Sequence, residues 1–316
     1  MIMMNITNVS YFILSAYYDA GVLKYLFFLV VLFLYGLIIG CNVVLIVVIC
    51  VNRSLHEPMY MFLCSLFVTE LYGSSGLFPF LLVQILSDVH TVSVPLCFLQ
   101  VFCLYSYGSV EFFTLAVMSY DRYVAICFPL QYNTLMTTNK IVGLVVFMWC
   151  YPFLTVLIMV SMTARLQLCG NIINKIYCDN PSILKLACFN ITINNIYGIF
   201  NMFQMLFFPA ILIFYTYMSI IKVCISGSKQ TRQKAVSTCT PHLISLFNLF
   251  FGSFLEMLEN KLNTSSSHGV LRVLGNSAMA YLITCQTLFN PVLYGLKMSK
   301  IRSSFKSLVD KILHHS

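Results

Sequence analysis

Met118-Ser119-Tyr120-Asp121-Arg122-Tyr123-Val124-Ala125-Ile126-Cys127-Phe128-Pro129-Leu130-Gln131-Tyr132 is the stretch from which the rest of the chain can be placed. A hydrophobic run too long for a soluble helix ends here in an adjacent acid and base. That is the signature of a membrane helix reaching water. Asp-Arg-Tyr alone is short enough to arise by chance at any charged helix end, so its surroundings must supply the argument.

Composition supplies the first part. Of 316 residues 59% are hydrophobic and only 9% charged, and mean hydropathy is +0.87. Soluble chains carry about 25% charge, so a chain this apolar needs lipid as its solvent. The formal charge of +8 is dispersed over short polar segments, which suits membrane orientation and not a nucleic-acid-binding face.

Seven apolar runs follow one another, each long enough to span: residues 26–50, 59–86, 95–126, 141–161, 196–221, 235–254 and 270–293. The sequence therefore predicts an all-α membrane protein, a seven-helix bundle over 26–294 between an N-terminal segment, 1–25, and a tail, 295–316. In the tail Ile301, Phe305 and Leu308 recur at helical spacing against Lys300, Arg302 and Lys306, which predicts a short amphipathic helix lying on the membrane. Met1 to Tyr18 lacks a basic n-region and a small-residue cleavage pattern, so no removable signal peptide is expected.

Charge bias predicts orientation. With the N-terminus outside, the inner segments hold Arg53, Arg122, Lys140, Lys222, Lys229, Arg232, Lys234, Lys297, Lys300, Arg302, Lys306 and Lys311, against Glu57, Asp121 and Asp310. The outer segments are nearly balanced. The positive-inside rule then places the N-terminus out and the tail in. The sequons at Asn5 and Asn8 agree, since glycosylation there requires a lumenal N-terminus. The outer cations Arg165, Lys175, Lys185 and Arg272 could steer anionic ligands such as amino acids or bile acids, but they read in the first place as solvated loop charges.

Four of the thirteen cysteines fall on the outer side: Cys97, Cys169, Cys178 and Cys188. Disulfides are expected, and four cysteines allow three pairings among which spacing does not choose. A metal site is the rival reading, but no CxxC pair or histidine accompanies them.

Glu70 and Glu111 are the only carboxylates deep within the spans. Each sits near the middle of its helix, and a mid-membrane acid points to function by default. Two neighbouring carboxylates need a shared proton or a small cation between them. The plainer alternative has each one neutral and bonded to a backbone carbonyl. Asn42 and Asn290 add intramembrane oxygens and favour one polar cluster. Arg122 reads as a switch, able to pair with Asp121 or swing to another partner. No catalytic constellation is present: no HExxH, no phosphate-binding glycine loop, no plausible Ser-His-Asp order. An enzyme is not expected. His56 and His242, near the inner ends of spans, read as structural hydrogen-bonding groups. Pro79, Pro152, Pro209 and Pro291 sit where they kink helices.

These motifs resemble the rhodopsin-like G-protein-coupled receptors and, within them, the olfactory (odorant) receptors, with a likeness to the fish type. The class is suggested by Gly40-Cys41-Asn42, Asp121-Arg122-Tyr123, Trp149, Pro209 with Tyr217, and Asn290-Pro291-Val292-Leu293-Tyr294. The odorant subset is suggested by Leu55 to Tyr60, by Met118 to Cys127 with Pro129 to Tyr132, by Lys234 to Leu243, and by three cysteines in a long second outer loop. The resemblance implies Cys97–Cys178 and Cys169–Cys188 disulfides. It implies a G-protein switch built on Asp121, Arg122, Tyr123, Tyr217 and Tyr294, and an odorant pocket near Tyr105, Gly108, Ser109, Asn201, Met205 and Ser253. It also implies a stimulatory, olfactory-type G protein as partner, cyclic AMP as the output, and a multi-pass plasma-membrane location. Glu70 and Glu111 match the family's sodium-site acids, so a bound sodium ion is the one cofactor considered. Two departures stand out: the usual aspartate of the second span is Glu70, and Pro241 replaces the serine before His242. The alternatives are a class A receptor for another small molecule, or an ion or solute transporter; the absence of an evident inverted repeat speaks against the latter.

Overall fold

A computed structural model describes residues 9–17, 21–227, 229–262 and 278–315. Long helices dominate: α1 (Leu23–Val51), α2 (Pro58–Leu86), α3 (Val94–Cys127), α4 (Thr138–Ala164), α5 (Thr192–Ser226), α6 (Lys229–Leu262), α7 (Ala278–Lys297) and α8 (Ser299–His315). Six of them, α1 to α6, are long and apolar enough to cross a membrane. The seventh, α7, continues a run whose first residues, 270–277, lie outside the described set, as do Asn5, Asn8 and Arg272. The fold is a seven-helix membrane bundle followed by an amphipathic helix.

Several helices outrun the apolar stretches that predict them. α6 begins at Lys229, before the apolar run from Ala235, because a helix satisfies its own backbone whether lipid or water surrounds it. Pro58 begins α2 at a position where a missing N–H costs nothing. Pro79, Pro152, Pro241 and Pro291 lie inside helices. In α5 one π-turn, Phe203–Phe207, precedes Pro209 and turns Met205 inward.

The helix α3 is the axis of the bundle. In its most apolar membrane-length window 78% of residues are buried, against 28% in α1, whose other faces are left for lipid. The α2–α3 contact is close because Gly73 lies against the fully buried Tyr107 ring: a Cβ added at Gly73 would sit 2.2 Å from Tyr107 Cδ2. Gly73→Ala is therefore expected to cost roughly 1–3 kcal/mol through overpacking, seen as a lower unfolding temperature in detergent. Gly40→Ala, where the added Cβ meets nothing within 4 Å, is expected to leave that temperature unchanged.

A small sheet, which period-2 patterning over so few residues does not announce, closes one end. Strand β1 (Tyr11–Leu14) pairs antiparallel with β2 (Thr91–Ser93) and parallel with β3 (Ile172–Ile173), in the order β2-β1-β3. Phe12 and Leu14 turn inward and are buried, so the N-terminal segment is stapled to two loops by apolar packing as well as by the ladder.

Candidate functional site

At mid-bundle α2, α3, α6 and α7 each place polar groups in one buried cluster. Glu70 of α2 and Glu111 of α3 are both fully buried. One amide joins them: Asn290 Nδ2 donates to Glu70 Oε1 and, at 3.2 Å, to Glu111 Oε1. Tyr107, one helical turn before Glu111, donates its hydroxyl to Glu70 Oε2 at 3.1 Å. Ser245 donates to Asn290 Oδ1 at 2.7 Å, and Gln286 Nε2 reaches Ser245 at 3.3 Å. Asn42 stands apart from the acids. Its amide donates to the carbonyls of Ile38 and Thr287, each at 2.9 Å, and ties α1 to α7.

Tyr107, Ser245 and Gln286 were not singled out from sequence. The signal available was spacing: Tyr107 and Glu111, like Gln286 and Asn290, are four apart and so share a helix face. The two carboxylates and the Tyr107 hydroxyl are hard oxygen donors of the kind a hard cation takes, while Asn290 turns its amide nitrogen to the acids and its oxygen to Ser245. Glu111 Oε2 is buried without a hydrogen-bond partner among the described residues, which leaves it free for a proton or a cation. Among the same residues no group of three or more His, Cys, Asp and Glu gathers as a transition-metal site would require.

Below this cluster Asp121 and Arg122 form an ion pair, with Arg122 Nε 3.0 Å from Asp121 Oδ2 and Nη2 closer still. Asp121 is fully buried and accepts a second bond from the Tyr132 hydroxyl at 2.6 Å, so the turn after α3 clamps the acid. Burial first, and the Asp121 charge next, push the Tyr132 phenol up and keep it a donor. Tyr123 packs its ring against Phe128 and Tyr215. Tyr217 hydrogen-bonds His242 Nδ1 and stacks on its ring, joining α5 to α6. Tyr294 is fully buried beside Phe67, and its hydroxyl has no partner among the described residues. The five switch candidates are thus distributed over neighbouring contacts, with only Asp121 and Arg122 bonded to each other. Nearby, the Glu57 carboxylate accepts from Lys300 at 2.7 Å and raises the pKa of that ammonium, fastening α8 to the segment between α1 and α2.

At the opposite end a cavity of about 720 Å³ opens between α3, α5 and α6. Tyr105, Gly108, Ser109, Asn201, Met205 and Ser253 all line it. So do Lys185, read above as a loop charge, and Asn180, Asn194 and Glu256, whose place at a cavity the sequence does not mark out because it depends on how the elements pack.

The roof is the α4–α5 loop. Disulfides join Cys97 to Cys178, with Cα atoms 5.5 Å apart, and Cys169 to Cys188, 5.1 Å apart. The Cys178 amide donates to Gln100 Oε1 at 2.8 Å, a second tie to α3. Reading Lys175 as a solvated loop charge is corrected by the structure. The residue is 2% exposed, with Nζ 3.0 Å from Asp179 Oδ2 and 3.1 Å from the Tyr177 hydroxyl. Folding of the loop beneath its disulfides removes this cation from water, which the local sequence could not foretell. Lys185 is exposed. Outside the roof, Lys24 bonds the exposed Asp88 at 2.8 Å and holds its carboxyl below the ordinary range.

A seven-helix bundle with a roofed cavity at one end, a buried acid–amide cluster at its centre and an acid–arginine pair at the other defines a heptahelical membrane receptor. Comparison with known proteins narrows the class. The family model for olfactory receptors matches residues 31–312. The chain is 35% identical to mouse "Olfactory receptor 6E1", with 98% of each chain covered. It is 34% identical to mouse "Olfactory receptor 8U3", with 97% of this chain and 95% of that one covered. To human "Olfactory receptor 10A6" it is 31% identical, with 94% and 93% covered. The chain belongs to the olfactory receptor family; it is a multi-pass membrane receptor and not an enzyme.

Proposed function

We propose that this receptor binds a small-molecule odorant in the 720 Å³ cavity and activates a stimulatory, olfactory-type G protein at its other end, raising cyclic AMP. The observation that carries the reading is the continuity of α3. It bears Tyr105 and Ser109 at the cavity, Glu111 in the polar cluster and Asp121–Arg122 at the far end. An odorant that binds one packing of this helix against α5 and α6 more tightly than the other shifts the populations of both ends. The excess of Lys and Arg at the Asp121 end puts that end in the cytoplasm and the N-terminal segment outside, where Asn5 and Asn8 are sugar acceptors.

The test is an odorant panel applied to cells that carry the receptor with the olfactory G protein, after staining for an N-terminal epitope on intact cells. Odorant-evoked cyclic AMP is the expected result. Ion or solute flux without cyclic AMP would support a transporter instead.

Glu70, Glu111 and Asn290 hold either a sodium ion or a shared proton, and a bound cation would supply the positive charge that lets both acids stay ionised. Replacing external sodium with an impermeant organic cation is expected to shift the odorant response of the receptor. In Glu111→Gln that shift is expected to vanish; an unchanged salt response sinks the sodium reading.

A further inference from the structure

The polar atoms around the cavity fall into two sets. The charged groups are already engaged or screened. Glu256 accepts the Tyr177 hydroxyl at 3.3 Å and has a further partner besides, while Lys175 lies 3.0 Å from Asp179 in the roof. Lys185 borders the cavity but is exposed, where water and salt screen it. Neither sign of charge is left to select a ligand.

The second set is neutral and unsatisfied. α5 brings Asn194 and Asn201 to the cavity wall. Among the described residues Asn194 Nδ2 is a buried donor without an acceptor, and Asn201 Oδ1 a buried acceptor without a donor. Asn201 is 5% exposed, and its amide nitrogen reaches only the Met159 sulfur, at 3.9 Å. Each orphaned atom bears the cost of its lost hydration until a partner arrives. The terminal torsion of an asparagine is broad, so both amides can turn to meet one.

Helix geometry sets their spacing. Asn194, Gly198, Asn201 and Met205 recur at i, i+4, i+7 and i+11 and all line the cavity, so they form one stripe of α5. Seven residues of helix separate the two amides by about 10 Å along its axis. Between them Gly198 presents no side chain, and a Cβ added there meets nothing within 4 Å. A chain laid along the stripe therefore passes from one amide to the other unobstructed, among the apolar Leu104, Phe112 and Met205.

Resting on the reading of this cavity as the odorant site, we propose that its preferred ligands are uncharged chains carrying a carbonyl and a hydroxyl about 10 Å apart. The carbonyl oxygen accepts the Asn194 Nδ2 proton, and the hydroxyl donates to Asn201 Oδ1. An extended chain advances about 1.2 Å per bond, so about eight bonds join the two groups. A ligand with only one of them fills the same space but leaves one amide atom unsatisfied. An ammonium or a carboxylate sheds more hydration than a neutral amide returns.

The test uses four probes on one nine-carbon chain. They are 9-hydroxynonan-2-one, with eight bonds between hydroxyl oxygen and carbonyl carbon, its isomer 4-hydroxynonan-2-one, with three, nonan-2-one and nonan-1-ol. Cyclic AMP is measured in cells with equal surface levels of the receptor. The first probe is expected to act at concentrations about tenfold or more below the other three. Asn194→Leu, of similar size, is expected to remove its advantage over nonan-1-ol and leave nonan-1-ol itself unchanged. Asn201→Leu is expected to remove its advantage over nonan-2-one and leave nonan-2-one unchanged. A merely structural role for either asparagine would weaken all four probes alike. That uniform weakening, equal potency of the two isomers, an advantage that survives either substitution, or silence of all four probes on a surface-displayed receptor overturns the assignment. In each case a response to any other odorant of the panel still supports the receptor reading, and cyclic AMP silence throughout counts against both.

Discussion

Serine in place of Cys178 is expected to remove most of the receptor from the cell surface. The Cys97–Cys178 bond closes 81 residues, and the chain-entropy model assigns a loop of that size about 4.5 kcal/mol. Typical net stabilities are about 5–15 kcal/mol, so this is a large fraction of the whole. Both cysteines are fully buried, and the same loop carries Lys175, Tyr177 and Asn180 over the cavity. Losing the bond therefore unroofs the site as well as loosening the chain. The Cys169–Cys188 bond closes only 19 residues and rates roughly 3 kcal/mol on the same scale. Cys169→Ser is accordingly expected to lose less surface staining and to retain more thermal resistance in detergent. The double variant Cys97→Ser, Cys178→Ser should match Cys178→Ser alone, which excludes mispairing of a stray thiol as the cause. Equal losses for the two bridges would refute the assigned order.

Arg122→Ala and Asp121→Asn are expected to shift signalling in opposite directions. In the present packing the arginine is held by a fully buried carboxylate that Tyr132 also clamps. Removing Arg122 leaves Asp121 as a buried charge with only a neutral donor, a change that typically costs about 3–5 kcal/mol. It also deletes the cation available to a second partner, so odorant-evoked cyclic AMP is expected to disappear at equal surface level. Asp121→Asn acts on the other side of the balance. It weakens the hold on Arg122 while keeping the amide near Tyr132, so cyclic AMP without odorant is expected to rise. Measuring basal and evoked cyclic AMP, each normalised to surface staining, checks both. A basal signal that moves the same way in the two variants defeats the switch.

Much of the receptor was legible in the chain because membrane helices are local objects. Each apolar run satisfies its own backbone within lipid, so spans could be read one at a time, and the tail's amphipathic spacing could be read the same way. Within a span, spacing shows which residues share a face, but not which neighbouring helix that face meets. Depth alone groups Asn42 with the acids, yet its amide bonds the carbonyls of Ile38 and Thr287. Tyr107 and Gln286 share faces with Glu111 and Asn290, but nothing in their own spans shows that those faces meet. Lys175 reads as a loop charge in any local window, and only the loop's return beneath α6 buries it against Asp179 and Tyr177.

The sequence by itself determined that lipid is the solvent, that seven helices cross it, and that mid-membrane acids and a terminal acid–arginine pair lie on particular helices. Those properties follow from hydropathy, length and charge, which need no neighbour. Only the tertiary structure decided that one amide, 220 residues beyond Glu70 in the chain, bridges the two acids, and that Glu256 and Asn201 border a single cavity. Such meetings depend on how each helix is rotated about its axis. That rotation is set by packing against the others, as where Gly73 admits Tyr107, and no single span encodes it alone.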